Sequence, residues 1–244
     1  MDNATQQLAE GVWRIEAGAL LNGYLVAGDG HSDAGGLTLV DTGTRRSGPR
    51  MVRSIRLLGF DPTAIDQIVL THWHADHMGS ADRFARSSAA PSVAAGRRDL
   101  PPIQGEVRRP HDVAAPGDIS RLGRLVSVLA TPGPPVADVT PLDDGMVLEA
   151  ANNTHVIDAP GHTAGSIALL LPAAGVLLAG DALMTALGRL SLCPGPFRSA
   201  RSQEAATLQR LAALDFEVLA VGHGPPVITD AQKRLARLAQ RVAA

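Results

Sequence analysis

The stretch Thr71-His72-Trp73-His74-Ala75-Asp76-His77 follows the apolar run Ile68-Val69-Leu70 in a chain of 244 residues. It holds three imidazoles and one carboxylate within six residues, a density that neither core packing nor solvation requires. Neutral imidazole nitrogens and carboxylate oxygens suit Zn²⁺, and sites with open coordination positions are catalytic rather than structural. The stretch therefore predicts a metal site.

The spacing within this stretch indicates where each side chain lies. On an extended segment successive side chains alternate, so His72 and His74 share one face and Trp73 points to the opposite, core side. Asp76 and His77 come after the chain turns, where they can face the same hollow and hold a second ion. One short loop is thus predicted to serve two metals.

Charge and composition narrow the class of partner. The net charge is -2, and nucleic-acid binding requires clustered basic residues, so no nucleic-acid partner is expected. The pairs Arg45-Arg46, Arg97-Arg98 and Arg108-Arg109 are scattered and are interpreted as solvated surface. The expected partner is a small-molecule substrate, and the oligomeric state stays open.

Cysteine usage and the N-terminus suggest a compartment. Cys193 is the single cysteine, so no internal disulfide can form and a reducing environment fits. Residues 1–7 lack the basic start and apolar core of a signal peptide, and no apolar run is long enough to span a bilayer. We expect a cytoplasmic protein with no membrane partner.

The first half of the chain is predicted to alternate strands and helices. Residues 12–15, 24–27 and 36–41 indicate three consecutive antiparallel strands separated by Gly-rich turns. Apolar residues at helical spacing predict a helix over 49–58, Asp61 caps a short helical turn, and a helix is predicted over 76–86. Residues 89–144 are interpreted as an irregular excursion around one or two strands, with a hypothetical role in substrate access.

The second half repeats the pattern of the first. Strands are predicted at 146–148, 155–158, 167–171, 175–181 and 218–221, followed or separated by helices over 203–214 and 230–242. The 203–214 helix is expected to bury Ala206, Leu208, Leu211 and Leu214. An apolar strand ends in an aspartate twice, at Asp41 and Asp181, which suggests two similar halves. The predicted architecture is an α/β four-layer αββα sandwich, forming a single domain over 1–244.

Five motifs, in order along essentially the whole chain, carry a family resemblance. The first cluster resembles the His-x-His-x-Asp-His signature of the metallo-β-lactamase superfamily. Asp41 in Asp41-Thr42-Gly43 matches its Asp-x-Gly segment. His162 in Pro160-Gly161-His162-Thr163, Asp181 after Gly180, and His223 between two glycines stand where the family places its later motifs. The resemblance implies the metallo-β-lactamase fold and two divalent ions. One ion would be held by His72, His74 and His162, the other by Asp76, His77 and His223, with Asp181 bridging and Asp41 orienting a ligand.

The resemblance also implies a reaction. A cation pair supplies hydroxide at neutral pH and polarises a carbonyl, so no Ser-His-Asp nucleophile is needed. The expected activity is hydrolysis of an ester, thioester or lactone by metal-bound hydroxide held by the two ions, with Asp76 as a catalytic residue. Zn²⁺ is the expected metal, with Fe or Mn left open. The alternatives are a β-lactam hydrolase and a single-iron, sulfur dioxygenase-like oxidoreductase on the same scaffold.

The presence of Asp181 indicates similarity to the thioesterases and lactonases of that family, because the family's zinc β-lactamases usually lack the bridging aspartate. Hydroxyacylglutathione hydrolases add a basic C-terminal helical region, whereas one helix follows His223 here and Lys233 is the sole lysine, which argues against that specific activity. Family lactonases use a tyrosine near the metals, but Tyr24 lies in an apolar strand and is expected to pack in the core.

The remaining candidates have less specific signals. Cys193 is twelve positions beyond Asp181 and is interpreted as a packed or loop thiol. The apolar stretch 184–201 is equally consistent with a substrate lid and a covered loop. His31, His111 and His155 are interpreted as surface or structural residues.

Overall fold

Two large β-sheets make up the centre of the computed structural model, which describes residues 4–28, 36–107 and 131–243. The first sheet has seven strands in chain order: β1 (Thr5–Ala9), β2 (Val12–Gly18), β3 (Leu21–Ala27), β4 (Leu37–Val40), β5 (Ile65–Leu70), β6 (Ser92–Gly96) and β7 (Thr140–Leu142). The second sheet has five strands in the order β14-β11-β10-β9-β8: β8 (Val147–Leu148), β9 (Thr154–Asp158), β10 (Ile167–Leu171), β11 (Val176–Leu178) and β14 (Val218–Ala220). A separate hairpin pairs β12 (Met184–Ala186) with β13 (Arg189–Ser191).

The α-helices of the described ranges are α1 (Gly48–Leu57), α2 (Ala75–Met78), α3 (Ala81–Ala85), α4 (Leu100–Ile103), α5 (Glu204–Ala212) and α6 (Ala231–Ala243). Helix α1 illustrates how the sequence determines where a helix begins and ends and which of its sides is buried. A proline occupies its first turn, where the missing N–H costs no hydrogen bond. Met51 and Ile55, four residues apart, are buried against the first sheet, and Gly59 follows with a left-handed φ of 90°.

Three apolar clusters define four layers. The cluster between the sheets joins side chains such as Tyr24 and Val69 of the first sheet to Val156 and Leu169 of the second. A second cluster lies between the first sheet and α1. A third packs the second sheet against α5 and α6, through residues that include Leu208, Leu211, Leu235 and Leu238. The predicted αββα sandwich of two similar halves is therefore confirmed.

Strand direction places the functional residues at one edge. In the first sheet β4, β5, β6 and β7 pair in parallel. In the second, β11 and β14 pair in parallel, and β9 runs in the same direction because both β9 and β11 are antiparallel to β10. The carboxyl ends of parallel strands meet at a common edge, which is where open α/β sheets bind ligands.

Several predicted elements are confirmed. The three early strands pair antiparallel, for example Val12 with Val26 and Leu25 with Leu39, although β1 was not predicted. Helix α1 matches the helix expected over 49–58. The side chain of Asp61 caps the following helical turn by accepting a hydrogen bond from the Thr63 N–H at 2.9 Å.

One predicted helix was wrong in its extent, and one residue of another was wrongly assigned to its buried side. The single helix expected over 76–86 is interrupted between α2 and α3, because Gly79 lies against the backbone of Thr44 and the Ser80 hydroxyl donates to the Thr44 carbonyl at 2.7 Å. In α5, Ala206 is exposed, and Glu204 and Thr207 are buried beside Leu208 and Leu211 instead. Leu214 packs against the same cluster as Leu208 and Leu211, so the predicted apolar side is confirmed except at Ala206.

Parts of other predictions lie outside the described residues. The described part of 89–144 contains β6, a short helical turn at Arg97–Asp99, α4 and β7, whereas 108–130 is outside, as are His31 and His111. The single domain over 1–244 stays a prediction. In the three described ranges, none of the helices has the length and apolar character needed to cross a bilayer.

Candidate metal centre

All seven predicted ligands follow the carboxyl ends of strands. The stretch from His72 to His77 follows β5, His162 follows β9 and His223 follows β14, while Asp181 lies in the helical turn Gly180–Ala182 after β11. Because those strand ends share one edge of the sandwich, the side chains converge although they are up to 151 positions apart. The alternation expected for the first motif also holds, since Trp73 packs in the core cluster and its histidine neighbours face the site.

The first group of donors is His72, His74 and His162. The His74 Nδ1 atom lies 3.1 Å from His72 Nε2 and 2.8 Å from His162 Nε2. Burial lowers the pKa of all three imidazoles, that of His162 to about 4, so they are neutral at pH 7. Ligand nitrogens 2.0–2.1 Å from a tetrahedral Zn²⁺ lie about 3.3 Å from one another, so three neutral nitrogens at this spacing fit such an ion.

The second group is Asp76, His77 and His223. The Asp76 Oδ2 atom lies 3.3 Å from His223 Nε2 and 3.9 Å from His77 Nε2, and the two Nε2 atoms are 3.4 Å apart. Burial opposes the charge on His223, but the Asp181 and Asp76 carboxylates together outweigh burial and raise the pKa of His223 to about 9. Burial also opposes protonation of His77, but the Asp181, Asp41 and Asp76 carboxylates raise its pKa well above the usual value. The protonated imidazoles of His77 and His223 thus give this group positive charge. A divalent cation that binds here would displace their protons.

Asp181 joins the two groups. Its Oδ2 atom lies 3.4 Å from His162 Nε2 and 3.2 Å from His223 Nε2, and its Oδ1 atom lies 3.5 Å from His77 Nε2. Burial raises the pKa of Asp181, but the imidazoles of His77, His223 and His162 outweigh it and keep the pKa well below the usual value. Asp181 Oδ1 is buried and accepts no hydrogen bond from the described residues, as expected for an oxygen aimed at a cation.

Asp41 supports the second group from behind. Its Oδ2 atom lies 2.8 Å from His77 Nδ1 and accepts a hydrogen bond from the Thr71 hydroxyl at 2.7 Å, while its Oδ1 atom accepts from the Thr71 N–H at 2.8 Å. The backbone of Asp41 is left-handed, with a φ of 57°, a conformation in which aspartate is enriched. A carboxylate at Nδ1 keeps the proton on that nitrogen and leaves Nε2 free to face a metal. This geometry supports the ligand-orienting role proposed for Asp41.

Asp99 was not predicted as part of the site. It is 2% exposed and accepts hydrogen bonds from the Trp73 N–H at 3.2 Å, the Thr163 hydroxyl at 2.6 Å and the Gly165 N–H at 2.8 Å. It therefore ties the segment carrying His72 and His74 to the segment that follows His162. The available sequence signal was the position of Asp99 shortly after β6, the strand that pairs with β5. Asp99 was not singled out because the adjacent Arg97-Arg98 pair was interpreted as solvated surface.

Gly222 and Cys193 also lie against the ligands. A Cβ on Gly222 would be 2.0 Å from Asp181 Oδ1 and 2.8 Å from a ring carbon of His77, so no larger residue fits. Cys193 is buried, as expected for a packed thiol, but its sulfur lies within 4.8 Å of ligand atoms of His162 and Asp181, a position that was not predicted. Burial and the Asp181 carboxylate raise the pKa of this thiol well above its usual value, so it stays protonated.

A cavity of about 1380 Å³ opens over both groups. Its described lining includes the segment Thr131 to Pro135, and Met184, Cys193, Pro194 and Phe197 from the stretch 184–201.

Two residues that were not expected to be metal ligands lie outside the site. His155 is exposed on β9. Tyr24 is buried in the core between the sheets, where its hydroxyl donates to the Val221 carbonyl at 2.6 Å.

The comparisons with known proteins agree with this geometry. The sequence profile of the metallo-beta-lactamase superfamily matches residues 22–223. The chain belongs to the metallo-beta-lactamase superfamily, whose fold it has and whose members typically bind divalent metals.

Individual relatives show how far the likeness extends. A hydroxyacylglutathione hydrolase from Rhodobacter capsulatus is 35% identical over 156 residues, which is 63% of this chain but 45% of that protein, so the chain spans about half the length of this relative. A metallo-beta-lactamase family protein from Thermus thermophilus superposes with a TM-score of 0.68 at 26% identity, covering 96% of this chain and 80% of that one. BJP-1, a subclass B3 metallo-beta-lactamase of Bradyrhizobium japonicum, superposes with a TM-score of 0.70 at 20% identity, covering 98% and 90%, and this likeness shows the fold alone.

Proposed function

We propose that this chain is a hydrolase that holds two divalent metal ions, with Zn²⁺ the expected metal, and opens an ester, thioester or lactone. The observation that carries the proposal is the position of Asp181, within 3.5 Å of a nitrogen in each of His162, His77 and His223. One carboxylate thus faces both a neutral three-histidine group and a mixed carboxylate and histidine group. Such a donor set suits a pair of cations that share one ligand.

The chemistry of the site divides between the ions and the chain. When bound, two divalent ions would lower the pKa of water towards neutrality and polarise a carbonyl. The side chain of Asp76 is 41% exposed, against 5% for Asp181. We infer that Asp76 is the ligand that meets water and substrate and that it accepts a hydrogen bond from the attacking water. Burial raises its pKa, but His77 and His223 outweigh burial and hold the pKa well below the usual value, so the carboxylate is ionised. Met184 and Phe197 on the cavity wall would hold the apolar part of an acyl substrate and exclude water.

Two observations support a thioester or ester over a β-lactam. The 35% identity to a hydroxyacylglutathione hydrolase is a likeness to a thioester hydrolase. The chain also has Asp181 at the position where the family's zinc β-lactamases usually lack a bridging aspartate. β-Lactam hydrolysis and single-iron, thiol-dependent oxygen chemistry therefore serve as the competing outcomes in the experiment below.

The test combines metal analysis with a substrate panel. We expect two zinc ions per chain and hydrolysis of thioesters, esters or lactones by the purified protein. His74→Ala and Asp181→Asn should each lower kcat by about 10³-fold or more, because each removes a ligand that positions the charge on which the reaction depends. His155→Ala, an exposed histidine on β9, is the matched control and should leave both metal content and kcat unchanged.

Three results would overturn this proposal. Turnover retained by a metal-depleted Asp181→Asn variant would separate the reaction from the site. A single iron with thiol-dependent oxygen uptake would favour the oxidoreductase. Hydrolysis confined to β-lactams would favour the lactamase.

A further inference from the structure

The cavity that opens over the metal-binding residues also includes Arg45 and Arg46 on its wall. We propose that these two arginines bind an anionic group of the substrate, such as a carboxylate, at the end remote from the reacting carbonyl. The inference rests on the proposed function, because it concerns the substrate of that same site. It also revises the interpretation of Arg45-Arg46 as plain solvated surface.

The loop that carries the arginines is fastened to the metal-binding segment. The Thr42 N–H donates to the His77 carbonyl at 2.6 Å, and the Thr42 hydroxyl accepts from the Ser80 N–H at 3.2 Å. The Ser80 hydroxyl donates to the Thr44 carbonyl at 2.7 Å, and the Ser47 hydroxyl accepts from the Thr44 N–H at 2.9 Å. These bonds fix the backbone of the loop relative to the helix that carries Asp76 and His77.

The contact between Gly79 and this loop is close enough to exclude a side chain. A Cβ on Gly79 would lie 2.5 Å from the Arg45 nitrogen and 2.6 Å from the Thr44 carbonyl carbon. Gly79 also touches Gly133, whose own Cβ would lie 3.0 Å from the Gly79 Cα. The arginine loop and the Thr131 to Pro135 segment therefore flank the same turn, and the cavity lies between them and the ligands. A rigid base of this kind lets flexible arginines act at a fixed distance from the metals.

The charge of the cavity favours an anion. Among its described lining residues are three arginines, Arg45, Arg46 and Arg86, and three aspartates, Asp76, Asp82 and Asp181. Arg86 donates to Asp82 at 2.6 Å. Within the described ranges Arg45 and Arg46 form no ion pair, and both are exposed. Two divalent ions would make the cavity strongly positive, which raises the local concentration of anionic substrates.

The chemistry of the residues that line the cavity defines the class of substrate. Guanidinium groups bind carboxylates through paired N–H donors, and this geometry distinguishes arginine from lysine. The same cavity is lined by Pro132, Pro134, Met184 and Phe197, whose apolar surfaces can contact an apolar part of the substrate. The geometry therefore points to an acyl ester or thioester with an apolar body and one carboxylate, held between the arginines and the metal centre.

The experiment compares two thioesters that differ in a single charge. The acetyl thioester of 3-mercaptopropionate carries a carboxylate, and the acetyl thioester of the corresponding methylamide does not. For the Arg45→Ala/Arg46→Ala double variant we expect KM for the carboxylate substrate to rise about tenfold, with its kcat and both constants for the amide within about twofold of wild type. The wild-type preference for the carboxylate should weaken with added salt, and the double variant should show a smaller salt dependence than wild type.

Binding provides a readout that does not depend on turnover. Calorimetry with the thioether analogues of both compounds, on purified protein of measured metal content, should show tighter binding of the carboxylate to wild type and a preference about tenfold smaller in the double variant. Arg53→Ala/Arg56→Ala, two exposed arginines on α1, is the matched control and should behave as wild type.

The possible failures are distinguishable. If wild type hydrolyses both thioesters and the double variant shows no selective change in KM, the arginine site is refuted and the proposed function stands. If wild type hydrolyses neither thioester, nor any other substrate of the panel, the proposed function fails. Equal binding of the two analogues to wild type would refute the arginine site whatever the activity.

Discussion

Asp41→Asn is the most selective test of how the chain positions the second group of proposed metal ligands, Asp76, His77 and His223. The substitution replaces one carboxylate oxygen by an NH₂ group and changes neither size nor shape. Asp41 uses Oδ2 for His77 Nδ1 and the Thr71 hydroxyl, and Oδ1 for the Thr71 N–H. An amide can satisfy only part of this arrangement, because only one of its two terminal atoms accepts hydrogen bonds.

Both orientations of the amide leave a conflict. With its oxygen in the place of Oδ2, the NH₂ group faces the Thr71 N–H, so two buried donors meet where a hydrogen bond of 2.8 Å existed. With its oxygen in the place of Oδ1, the NH₂ group donates to His77 Nδ1, which moves the His77 proton to Nε2. That nitrogen faces Asp76 and His223 and would no longer be available to a metal.

The expected loss of metal affinity follows from two general magnitudes. A hydrogen bond to a charged group contributes about 1.5–3 kcal/mol. Loss of the partner behind a metal-binding histidine lowers metal affinity by about 10- to 100-fold, or about 1.4–2.7 kcal/mol. The two ranges agree, so we expect the ion held by Asp76, His77 and His223 to bind about 10- to 100-fold more weakly. The three-histidine group should change less, because Asp41 reaches it only through the Thr71 hydroxyl, 3.1 Å from His72 Nδ1.

The assay is calorimetric titration of metal-free protein with Zn²⁺, resolved into two binding events. Asp66→Asn on β5 makes the same chemical change at an exposed position and is the control. Wild-type affinity at both sites in Asp41→Asn, or a larger loss at the three-histidine group, would show that Asp41 does not act through His77.

Three further predictions concern other supports of the site. Burial raises the pKa of Asp99 to about 7, above the unfolded value of 3.8, so its contribution to stability is complete below about pH 4 and is lost as the pH rises through 7. Asp99→Asn cannot ionise. In urea unfolding of the metal-free proteins, the free energy of unfolding of the variant should therefore fall between pH 4 and 8 by up to about 4 kcal/mol less than that of wild type. Gly222→Ala should displace Asp181, because the new Cβ would lie 2.0 Å from Oδ1, and should lower bound metal and kcat at least about tenfold with an unchanged far-UV spectrum. Phe197→Ala should raise KM or change acyl chain-length preference in steady-state assays, because Phe197 lines the cavity.

Each of these predictions has a control and a contrary result. Equal pH slopes for wild type and Asp99→Asn would show that Asp99 does not titrate with the fold. Gly18→Ala, whose Cβ would meet Leu21 at an ordinary 3.8 Å, should change neither bound metal nor kcat. Full metal content in Gly222→Ala would contradict the predicted displacement of Asp181 by the new Cβ. Leu57→Ala, an exposed leucine at the end of α1, should leave KM unchanged, and the same result for Phe197→Ala would reject the lid.

The sequence by itself determined which residues converge at the candidate site and most of the elements that carry them. The density of imidazoles at His72, His74 and His77 predicted a metal site, and alternation along the chain separated the ligands from Trp73. Apolar runs that end in Asp41 and Asp181 predicted which strand ends matter. These signals are local, because side-chain direction and ligand type depend on a residue and its immediate neighbours.

Only the tertiary structure decided which distant groups support the ligands. Asp99 binds donors 26 to 66 positions away, and the approach of Cys193 to Asp181 depends on the hairpin of β12 and β13. The division of the helix expected over 76–86 depends on the packing of Gly79 against the arginine loop. No local pattern encodes these contacts, because sheet pairing and the packing of two sheets fix them, and the hydrophobic pattern of one segment reports its burial but not its neighbours.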